Sequence, residues 1–429
     1  MNVKQNMRLL KPLWLLIACT AGIALEASCS AQSAQPTTAQ PKVQQACTQS
    51  QNRKASETVV VGAARTDQYV PLLKGKRIAL LSNQTGTVGN KHVLDIMLDK
   101  GLKVTTIFSP EHGFRGKADA GEHVSSSIDE KTGLPIASLY DGKSPYPSKE
   151  VMSRFDVIVI DLQDVGLRYY TYYITMINLM NAAAVHGKQV VVLDRPNPNG
   201  MYVDGPILDM KLKSGVGGLP IPTVHGMTMG ELARMANGEG WLNRGKRVDL
   251  TVIPCTGYTH STRYRLPVAP SPNLPNMLSI YLYPSICYFE GTTVSLGRGT
   301  DIPFQCYGHP CMTGRKFHFT PTSRFGAKTP PQQDVLCHGV DLSKMSEETA
   351  IKNGIDLSYV IDAYNNLKRE GKPFLLKSGE RNFFNLLMGN THVYEMIEQG
   401  KTAEQIKATW KADVEKFKKQ RRPYLLYQE

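Results

Sequence analysis

The sequence predicts an α/β fold in which a mostly parallel sheet carries helices on both faces, followed by a smaller C-terminal α+β domain. Short apolar runs rich in β-branched residues, such as 156–161 (DVIVID) and 189–194 (QVVVLD), are typical of strands covered on both faces. They alternate with longer segments of helical length, which is the pattern of parallel strands joined by crossover helices. After about residue 264 the chain is first rich in loops and proline and then helical, which indicates the second domain.

The elements of the sheet follow from this alternation. Strands are predicted, in chain order, at 77–82, 104–108, 156–161, 189–194 and 248–254. Helices are predicted between them at 92–100, 172–186 and 228–237, and in the C-terminal part at 357–368 and 402–419. Gly101 and Gly187 are placed to end the first two helices. Thr228 and Glu231 have the spacing of a capping box, which predicts that the third helix begins there.

The N-terminus has the pattern of an export signal. Three basic residues precede an apolar stretch at 12–25, and small residues follow it. We therefore expect a signal peptide at residues 1–31 and a polar linker at 32–65. Cleavage before Cys19 with attachment of a lipid is the alternative. Both forms of processing predict an exported, periplasmic protein.

Composition and charge exclude several classes of protein. A chain of 429 residues with 41 % hydrophobic residues can bury a large core, which excludes collagen-like, coiled-coil and disordered chains. Only the first 30 residues contain a long apolar run, which excludes a polytopic membrane protein. The net charge of +13 indicates either an anionic partner (nucleic acid, a membrane surface or an acidic glycan) or simply a basic soluble surface.

The cysteines are too sparse for a disulfide scaffold. Cys306 and Cys311 are close enough in sequence to pair in an oxidising compartment, and buried free thiols are the equal alternative. No CxxC pair occurs, so a structural zinc site is not expected.

Polar motifs follow four of the predicted strands. They are 82–86 (SNQTG), 109–116 (SPEHGFRG), 161–168 (DLQDVGLR) and 194–200 (DRPNPNG). Because the carboxyl ends of parallel strands meet at one edge of the sheet, and open α/β sheets bind ligands there, the four loops predict one binding site. The loops do not by themselves identify the reaction.

Four side chains of these loops are candidate catalytic groups: Glu111, His112, Asp161 and Asp164. Glu111 lies in a tight turn beside an aromatic residue, so it is expected either to have a raised pKa and act as a general acid, or to pair with Arg115. Asp161 ends an apolar strand and is either a catalytic base or a ligand of neighbouring backbone N–H groups. Asp164 is either catalytic or paired with Arg168, four residues later.

Further polar and aromatic side chains are candidate substrate-binding residues. They are Asn83, Arg115, Arg168, Tyr169, Asp194, Arg195, Asn197, Asn199, His225, Glu290 and Arg298. Tyr169 and the tyrosines beside it either pack in the core or contact a sugar ring. Asp194 and Arg195 either bind substrate or form part of the scaffold. Glu290 and Arg298 either complete the cleft or form an interdomain salt bridge.

Other types of site find little support. The zinc-protease motif HExxH, the GxSxG nucleophile turn and the phosphate-binding GxxxxGK[ST] loop do not occur in the sequence. A metal held by His112, His225 and one of Asp161 and Asp164 is the remaining alternative, and no ligand spacing supports it. We therefore expect neither a metal nor a cofactor.

Nine motifs together resemble one family, the exo-β-N-acetylmuramidase (NamZ) family of glycoside hydrolases. In chain order they are LLSNQTG, SPEHGFRG, DLQDVGLRYYTY, VLDRPNPNG, HGMTMGELA, PSPNLP, YPSICYFEGT, SLGRGT and PF. The resemblance extends from about residue 77 to the C-terminus and so covers nearly the whole exported chain. It implies a Rossmann-like catalytic domain at 66–270 and an ancillary α/β domain at 271–429, with the site between them.

The resemblance also implies the activity. It implies removal of terminal β-1,4-linked N-acetylmuramic acid from the non-reducing end of peptidoglycan fragments, in cell-wall turnover or recycling. The lactyl carboxylate of that sugar requires a cation, and the candidates are Arg115, Arg168 and Arg298. Glu111 is expected to be the acid, and the second catalytic group is Asp161, Asp164, Glu290 or, less usually, a tyrosine or histidine.

Two alternatives to this activity stay open. One is another cell-wall hydrolase, namely an amidase or a metal-dependent esterase, and the other is a non-catalytic peptidoglycan-binding protein. The expected partners are muramic-acid-terminated saccharides derived from peptidoglycan. We expect no nucleic-acid partner and no stable membrane insertion after cleavage of the signal, and the oligomeric state is left open.

Overall fold

The structure is a computed structural model that describes residues 58–110, 113–114, 126–139, 144–242 and 245–429. All of these belong to one compact unit, residues 55–429. Its strands are β1 Arg77–Ser82, β2 Thr87–Val88, β3 Lys91–His92, β4 Lys103–Ser109, β5 Ser127–Ile128, β6 Pro135–Ser138, β7 Val157–Asp161, β8 Gln189–Leu193, β9 Leu250–Ile253, β10 Cys306–His309, β11 Phe317–Phe319 and β12 Cys337–Asp341.

The helices surround this strand framework. They are α1 Thr66–Leu73, α2 Val93–Asp99, α3 Lys149–Met152, α4 Tyr172–His186, α5 Met229–Gly238, α6 Met277–Ile286, α7 Glu347–Asn353, α8 Ser358–Arg369, α9 Phe383–Met388, α10 His392–Glu398, α11 Ala403–Ala408 and α12 Lys411–Arg421. In the described part of the chain no helix is long and apolar enough to cross a membrane.

The main sheet has seven strands in the order β5-β6-β4-β1-β7-β8-β9. All neighbours run parallel except the edge strand β5, which is antiparallel to β6. Alternate residues of the central strands belong to two separate cores. Ile158 packs with α4 and α5, whereas Val157 and Val159 pack with α1 and α2 on the other face. The prediction of a mostly parallel sheet with helices on both faces is therefore confirmed.

The C-terminal part combines a small antiparallel sheet, in the order β10-β12-β11, with helices α6 to α12. The α+β character predicted for this region is confirmed. The helix predicted over 402–419 is wrong in one respect, because the chain forms two helices, α11 and α12, separated at Thr409–Trp410. Trp410 is buried and its indole N–H donates to Asp204, and its backbone leaves the helical conformation at ψ 0°.

Two further predictions concerned the start of α5 and the pairing of Cys306 with Cys311. The capping box of Thr228 and Glu231 is present at the start of α5, with both reciprocal hydrogen bonds formed. Cys306 and Cys311 are both free thiols, and so are the other cysteines of the described residues. The disulfide alternative is therefore not found.

Candidate active site

The carboxyl ends of β1 and β7 lie side by side, because Ser82 pairs in register with Asp161. Asp161 is fully buried and forms a two-point ion pair with Arg195, at 2.5 Å from Nε and 2.9 Å from Nη2. Arg195 also donates to the carbonyl of Thr87 at 3.1 Å. The pair ties the loop after β8 to the loops after β7 and β1. These contacts favour the structural alternative for Asp161 over that of a free base.

Asp164, three residues after the end of β7, is buried and has no cationic partner among the residues that the structure describes. Its Oδ1 accepts from the backbone N–H of Gly166 at 2.6 Å, and its Oδ2 has no hydrogen-bond partner among the described residues. Burial raises the pKa of Asp164 to about 7, although backbone N–H groups of Gly166 and Val165 lower it in part. A carboxyl group of this kind exchanges a proton near neutral pH, which is a property of catalytic acids and bases.

Glycine is required where the Asp164 loop turns. Gly166 has φ 79°, and a Cβ atom there would lie 2.2 Å from Oδ1 of Asn197. Asn197 itself donates to the carbonyl of Met227, and its Oδ1 accepts from the backbone N–H of Asn199. Asn199 in turn donates to the carbonyl of Val165 at 2.9 Å. The two asparagines therefore hold the loop after β8 against the Asp164 loop.

The expected ion pair between Asp164 and Arg168 is not formed. Arg168 is fully buried and its guanidinium donates to four backbone carbonyls. These belong to Pro206, Ile221, Leu387 and Met388, at 2.6–3.0 Å. The side chain points into the C-terminal part and connects it to the main sheet. This geometry favours a bracing role for Arg168, since both Nη atoms are used by backbone carbonyls and only Nε has no partner among the described residues.

Asp194, at the end of β8, has a complete set of donors. Its Oδ1 accepts from the backbone N–H of Gly230 at 2.8 Å, and its Oδ2 accepts from Thr228 at 2.7 Å and from the Tyr427 hydroxyl at 2.6 Å. Burial raises the pKa of Asp194 to about 6, and the Tyr427 and Thr228 hydroxyls lower it in part. The carboxylate anchors the start of α5 and the C-terminus, which supports a structural role.

His225 is also buried in this part of the molecule. Its Nδ1 accepts from the backbone N–H of Met227 at 3.2 Å, and its Nε2 has no partner among the described residues. Burial lowers the pKa of His225 to about 3, and the positive charges of Arg421 and Arg168 lower it further. The imidazole is therefore neutral. No group of three potential metal ligands occurs among the described residues.

A pocket of about 470 Å³ is lined in part by Tyr169, Tyr170 and Thr171, which directly follow the Asp164 loop. The residues that line it come from the tyrosines after that loop and from the C-terminal part, and they include Tyr169, Tyr170, Ser271, Asn273, Tyr283, Glu290, Arg298, Phe304 and Phe383. The carbonyl of Pro270 connects pocket and sheet edge, since it accepts from Tyr170 at 2.8 Å and from Gln84 at 3.4 Å. Mixed aromatic and polar lining of this volume is typical of a small-molecule site.

Glu290 and Arg298 form an ion pair in this pocket. Oε1 of Glu290 lies 2.5 Å from Nη2 and 3.1 Å from Nε of Arg298, and the guanidinium lies over the Phe304 ring at 5.0 Å. The pair lies within the C-terminal part, so the alternative of an interdomain salt bridge is not found. Its position in the pocket agrees with the other alternative, a contribution to the cleft.

The backbone around Arg298 is closely packed. Gly297 has φ 83°, and a Cβ atom there would lie 2.7 Å from Sγ of Cys306. Phe304, which supports the guanidinium, adopts a left-handed conformation at φ 59° that is uncommon for an aromatic residue. Arg298 is thus fixed in the pocket before any ligand binds.

Tyr169 contributes to the same pocket from the other side. Its hydroxyl donates to the carbonyl of Tyr283 at 3.1 Å, and its ring packs edge to face on Tyr283 and Tyr288. The sequence left open whether Tyr169 packs in the core or contacts a ligand. In the structure it packs against other tyrosines and also lines the pocket. Three predicted site residues, Glu111, His112 and Arg115, lie outside the described residues, and their roles stay predictions.

The structure adds site residues that the sequence analysis did not select. Gln163 is buried next to Asp164, and one of its atoms, Oε1, has no partner in the described part of the chain. Asn273 and Phe304 line the pocket. Gln163 could have been noticed, because it lies in the same loop motif as Asp161 and Asp164. Phe304 belongs to the PF motif, but its contact with Arg298 and its backbone conformation arise only on folding.

Comparisons with known proteins agree with this geometry. Residues 78–278 match the N-terminal domain, and residues 281–427 the C-terminal domain, of the exo-β-N-acetylmuramidase NamZ. The chain is 39 % identical over 379 residues to the peptidoglycan β-N-acetylmuramidase NamZ of Bacillus subtilis (strain 168), covering 84 % of this chain and 89 % of the relative.

Solved structures show the same relationship. The fold is similar to that of a DUF1343 family protein from Bacteroides fragilis, with 60 % identity and a TM-score of 0.80. A second DUF1343 protein of that organism has 28 % identity and a TM-score of 0.73. Each alignment covers 86 % of this chain and 99 % of the other. With both family domains matched in order along the same fold, the chain belongs to the exo-β-N-acetylmuramidase NamZ family of glycoside hydrolases.

Proposed function

We propose that this protein is an exo-acting glycoside hydrolase. It releases terminal β-1,4-linked N-acetylmuramic acid from the non-reducing end of peptidoglycan fragments, in cell-wall turnover or recycling. Membership in the NamZ family supports the reaction class. The observation in the site that carries the proposal is Asp164, a buried carboxyl group whose pKa is raised to about 7. Its loop leads directly into Tyr169 and Tyr170, which line a pocket of about 470 Å³.

Cleavage of a glycosidic bond requires proton transfer at two points. One carboxyl group protonates the leaving oxygen, and a second carboxylate assists attack on the sugar as its charge develops. The sequence predicts Glu111 as the proton donor. Asp164 supplies the second group, because a carboxyl with a pKa near 7 is deprotonated often enough to act and remains basic enough to accept a proton. Asp161 is less suited, since Arg195 occupies both of its oxygens.

Arg298 recognises the lactyl carboxylate of the substrate. Glu290 engages its guanidinium through a single oxygen, and a guanidinium has five N–H donors, so further donors are available to a second carboxylate. Arg168, the other described candidate, is occupied by four carbonyls. Arg298 therefore gives the site a preference for muramic acid over N-acetylglucosamine, which has no lactyl group.

The same proposal includes the location of the protein. An exported, periplasmic enzyme meets peptidoglycan fragments, and the pattern of residues 1–31 supports export. Attachment of a lipid at Cys19 is the alternative form. Cell fractionation of the full chain and of Cys19→Ser separates the two: release of the variant from membranes into the soluble periplasm identifies the lipoprotein, and equal distribution identifies the soluble form.

The activity is tested with two chromogenic substrates, an aryl β-N-acetylmuramide and the matching β-N-acetylglucosaminide. We expect cleavage of the first and little of the second. Arg298→Lys should lower kcat/KM for the muramide by about tenfold or more, because a lysine cannot replace the planar donor fork. Arg315→Lys is the matched control, since Arg315 forms a similar 2.5 Å pair with Asp362 outside the pocket.

Three results would contradict parts of this proposal. Equal cleavage of both substrates by the wild type would exclude the proposed preference for muramic acid over N-acetylglucosamine. Equal kinetics of the two arginine variants would remove Arg298 from substrate recognition. Release of larger saccharides from the interior of a glycan chain would exclude the exo mode.

A further inference from the structure

The end of β1 carries a buried amide whose orientation is fixed. Oδ1 of Asn83 accepts from the backbone N–H of Thr85 at 3.0 Å and from its hydroxyl at 2.6 Å. A backbone N–H can only donate, so the oxygen of the amide must face Thr85. Nδ2 of Asn83 is therefore the opposite end, and it has no hydrogen-bond partner among the described residues. Asn83 presents a fixed, unused donor.

The end of β7 carries the complementary group. Nε2 of Gln163 donates to the carbonyls of Asp164 at 2.9 Å and Pro196 at 2.7 Å. A carbonyl can only accept, so this amide too has one possible orientation. Its Oε1 is buried and has no partner within the described part of the chain. Gln163 presents a fixed, unused acceptor.

The two amides belong to one hydrogen-bonded unit. The Thr85 hydroxyl donates to Asn83 and accepts from the backbone N–H of Gln163 at 3.2 Å. The strands that precede them are neighbours in register, with Ser82 opposite Asp161. Asn83 and Gln163 are 0 % and 3 % exposed. The donor and the acceptor are thus held by adjacent loops at the same edge of the sheet as Asp164.

A buried polar atom without a partner costs roughly 1–3 kcal/mol, and native proteins keep few of them without a reason. We propose that Asn83 and Gln163 bind the 2-acetamido group of the terminal sugar. Nδ2 of Asn83 donates to the acetamido carbonyl, and Oε1 of Gln163 accepts from the acetamido N–H. This inference rests on the proposed function and identifies the residues that read one substituent of its substrate.

The hydrogen-bonding chemistry of Asn83 and Gln163 matches the 2-acetamido group better than the other substituents of the sugar. A secondary amide offers one acceptor and one donor on neighbouring atoms, which matches one free donor and one free acceptor. The lactyl carboxylate offers acceptors only and would leave the Gln163 oxygen unpaired. A sugar lacking the acetamido group leaves both protein groups unpaired. Sites built to pair with a polar substituent reject analogues that lack it far more strongly than apolar pockets do.

The test uses aryl β-N-acetylmuramide and its 2-hydroxy analogue, which keeps the lactyl group. The wild type should prefer the acetamido substrate by at least about 100-fold in kcat/KM. Asn83→Asp keeps the oxygen that faces Thr85 and replaces only the free donor. It should reduce that preference by roughly 10- to 100-fold, with a smaller change on the 2-hydroxy analogue.

Asn237→Asp is the matched control. Asn237 also accepts from one backbone N–H and donates to a carbonyl, both of Val248, near the opposite end of β9. It should leave the preference unchanged. A purely structural role of Asn83 would lower kcat/KM equally for both substrates and would overturn the inference.

Two further outcomes separate this inference from the proposed function. Equal cleavage of both substrates by the wild type overturns the inference without any variant, while the glycosidase activity stands. Cleavage of neither substrate by the wild type contradicts the proposed function itself. Binding of free N-acetylmuramic acid, measured by calorimetry, gives a second readout: the wild type should bind it more tightly than its 2-hydroxy analogue, and equal affinity overturns the inference.

Discussion

Two buried regions at the carboxyl edge of the sheet contain similar groups with different hydrogen bonding. The β7-edge group consists of Asn83, Thr85, Gln163 and Asp164. Three of its side chains each retain one buried atom without a partner in the described structure. The C-terminal anchor consists of Asp194, Thr228, Glu231, His260 and Tyr427. Its two carboxylates accept from donors at all four oxygens.

The pKa values show what this difference means. Burial raises the pKa of both Asp164 and Asp194, to about 7 and about 6. Burial and a raised pKa alone therefore do not identify a catalytic group. What separates the two is how many of the carboxylate oxygens already accept a hydrogen bond. In Asp194 both oxygens do, which fits a structural role, whereas Oδ2 of Asp164 has no partner among the described residues and is available to a substrate.

The largest expected effect that separates the two regions is the loss of turnover in Asp164→Asn. The amide keeps the oxygen that accepts from Gly166 and removes the titratable group, so the fold should be retained. Turnover of the aryl muramide should fall by roughly 10²–10⁴, the usual range for removing an acid–base group. Steady-state kinetics, with circular dichroism to confirm folding, measure this. Near-wild-type turnover would place the second catalytic group elsewhere.

Asp194→Asn should have the opposite profile. Three donors converge on this carboxylate, and an amide nitrogen cannot accept from them, so at least one buried donor is left unpaired. We expect a loss of stability of roughly 2–4 kcal/mol. Urea denaturation measures it. Turnover per folded molecule should change little, and a large fall in turnover without destabilisation would assign Asp194 to the catalytic site.

Stability should also depend on pH through Asp164. The folded state holds its proton up to about pH 7, whereas an unperturbed Asp carboxyl releases it near pH 4, so the folded state loses stability as pH rises between these values. Asp164→Asn removes this loss. Relative to wild type, its free energy of unfolding should therefore be higher at pH 8 than at pH 5, by on the order of 3 kcal/mol, and its Tm should rise accordingly.

The activity of the wild type should show the same ionisation. If Asp164 acts in its deprotonated form, kcat/KM rises with pH through about 7. In the stability experiment, an equal difference in Tm between Asp164→Asn and wild type at pH 5 and pH 8 would show that the pKa of Asp164 is not raised. An activity profile that falls through pH 7 would assign Asp164 the acid role instead.

The smallest effect concerns a single hydrogen bond of the C-terminal anchor. Tyr427→Phe removes the hydroxyl that donates to Asp194 and accepts from the backbone N–H of Cys255. Two of the three donors to Asp194 remain, so we expect a loss of about 1–2 kcal/mol, less than in Asp194→Asn. Tyr264→Phe serves as a control, since Tyr264 is a partly buried tyrosine that is not part of the anchor. An effect as large as that of Asp194→Asn would show that Tyr427 dominates the network.

Much of the fold could be predicted because its signals are local. The strand at Arg77–Ser82 and the helix at Tyr172–His186 have the predicted bounds, and the others differ by one or two residues. The exception is the helix broken at Trp410. Nothing in its local sequence indicates the break, because the reason is the burial of Trp410 against Asp204, more than two hundred residues earlier.

The position of the candidate site could be predicted from the sequence, but the roles of its individual residues were harder to predict. Four polar loops at the ends of parallel strands must meet, so Asn83 and Asp164 were placed near each other by topology alone. Gln163 was not selected. Its free oxygen depends on where Nε2 donates, and one of the two acceptors is the carbonyl of Pro196 in another loop.

The sequence by itself therefore determined the parallel sheet, the edge where the polar loops gather and, through its motifs, the family. These depend on apolar periodicity, turn residues and chain order, all of which are present in the linear sequence. Only the tertiary structure decided which carboxylates are occupied. Arg195 reaches Asp161 from 34 residues away, and Tyr427 reaches Asp194 from 233 residues away. Burial and the supply of donors set the protonation of a carboxyl group, and both are fixed only when distant segments pack together.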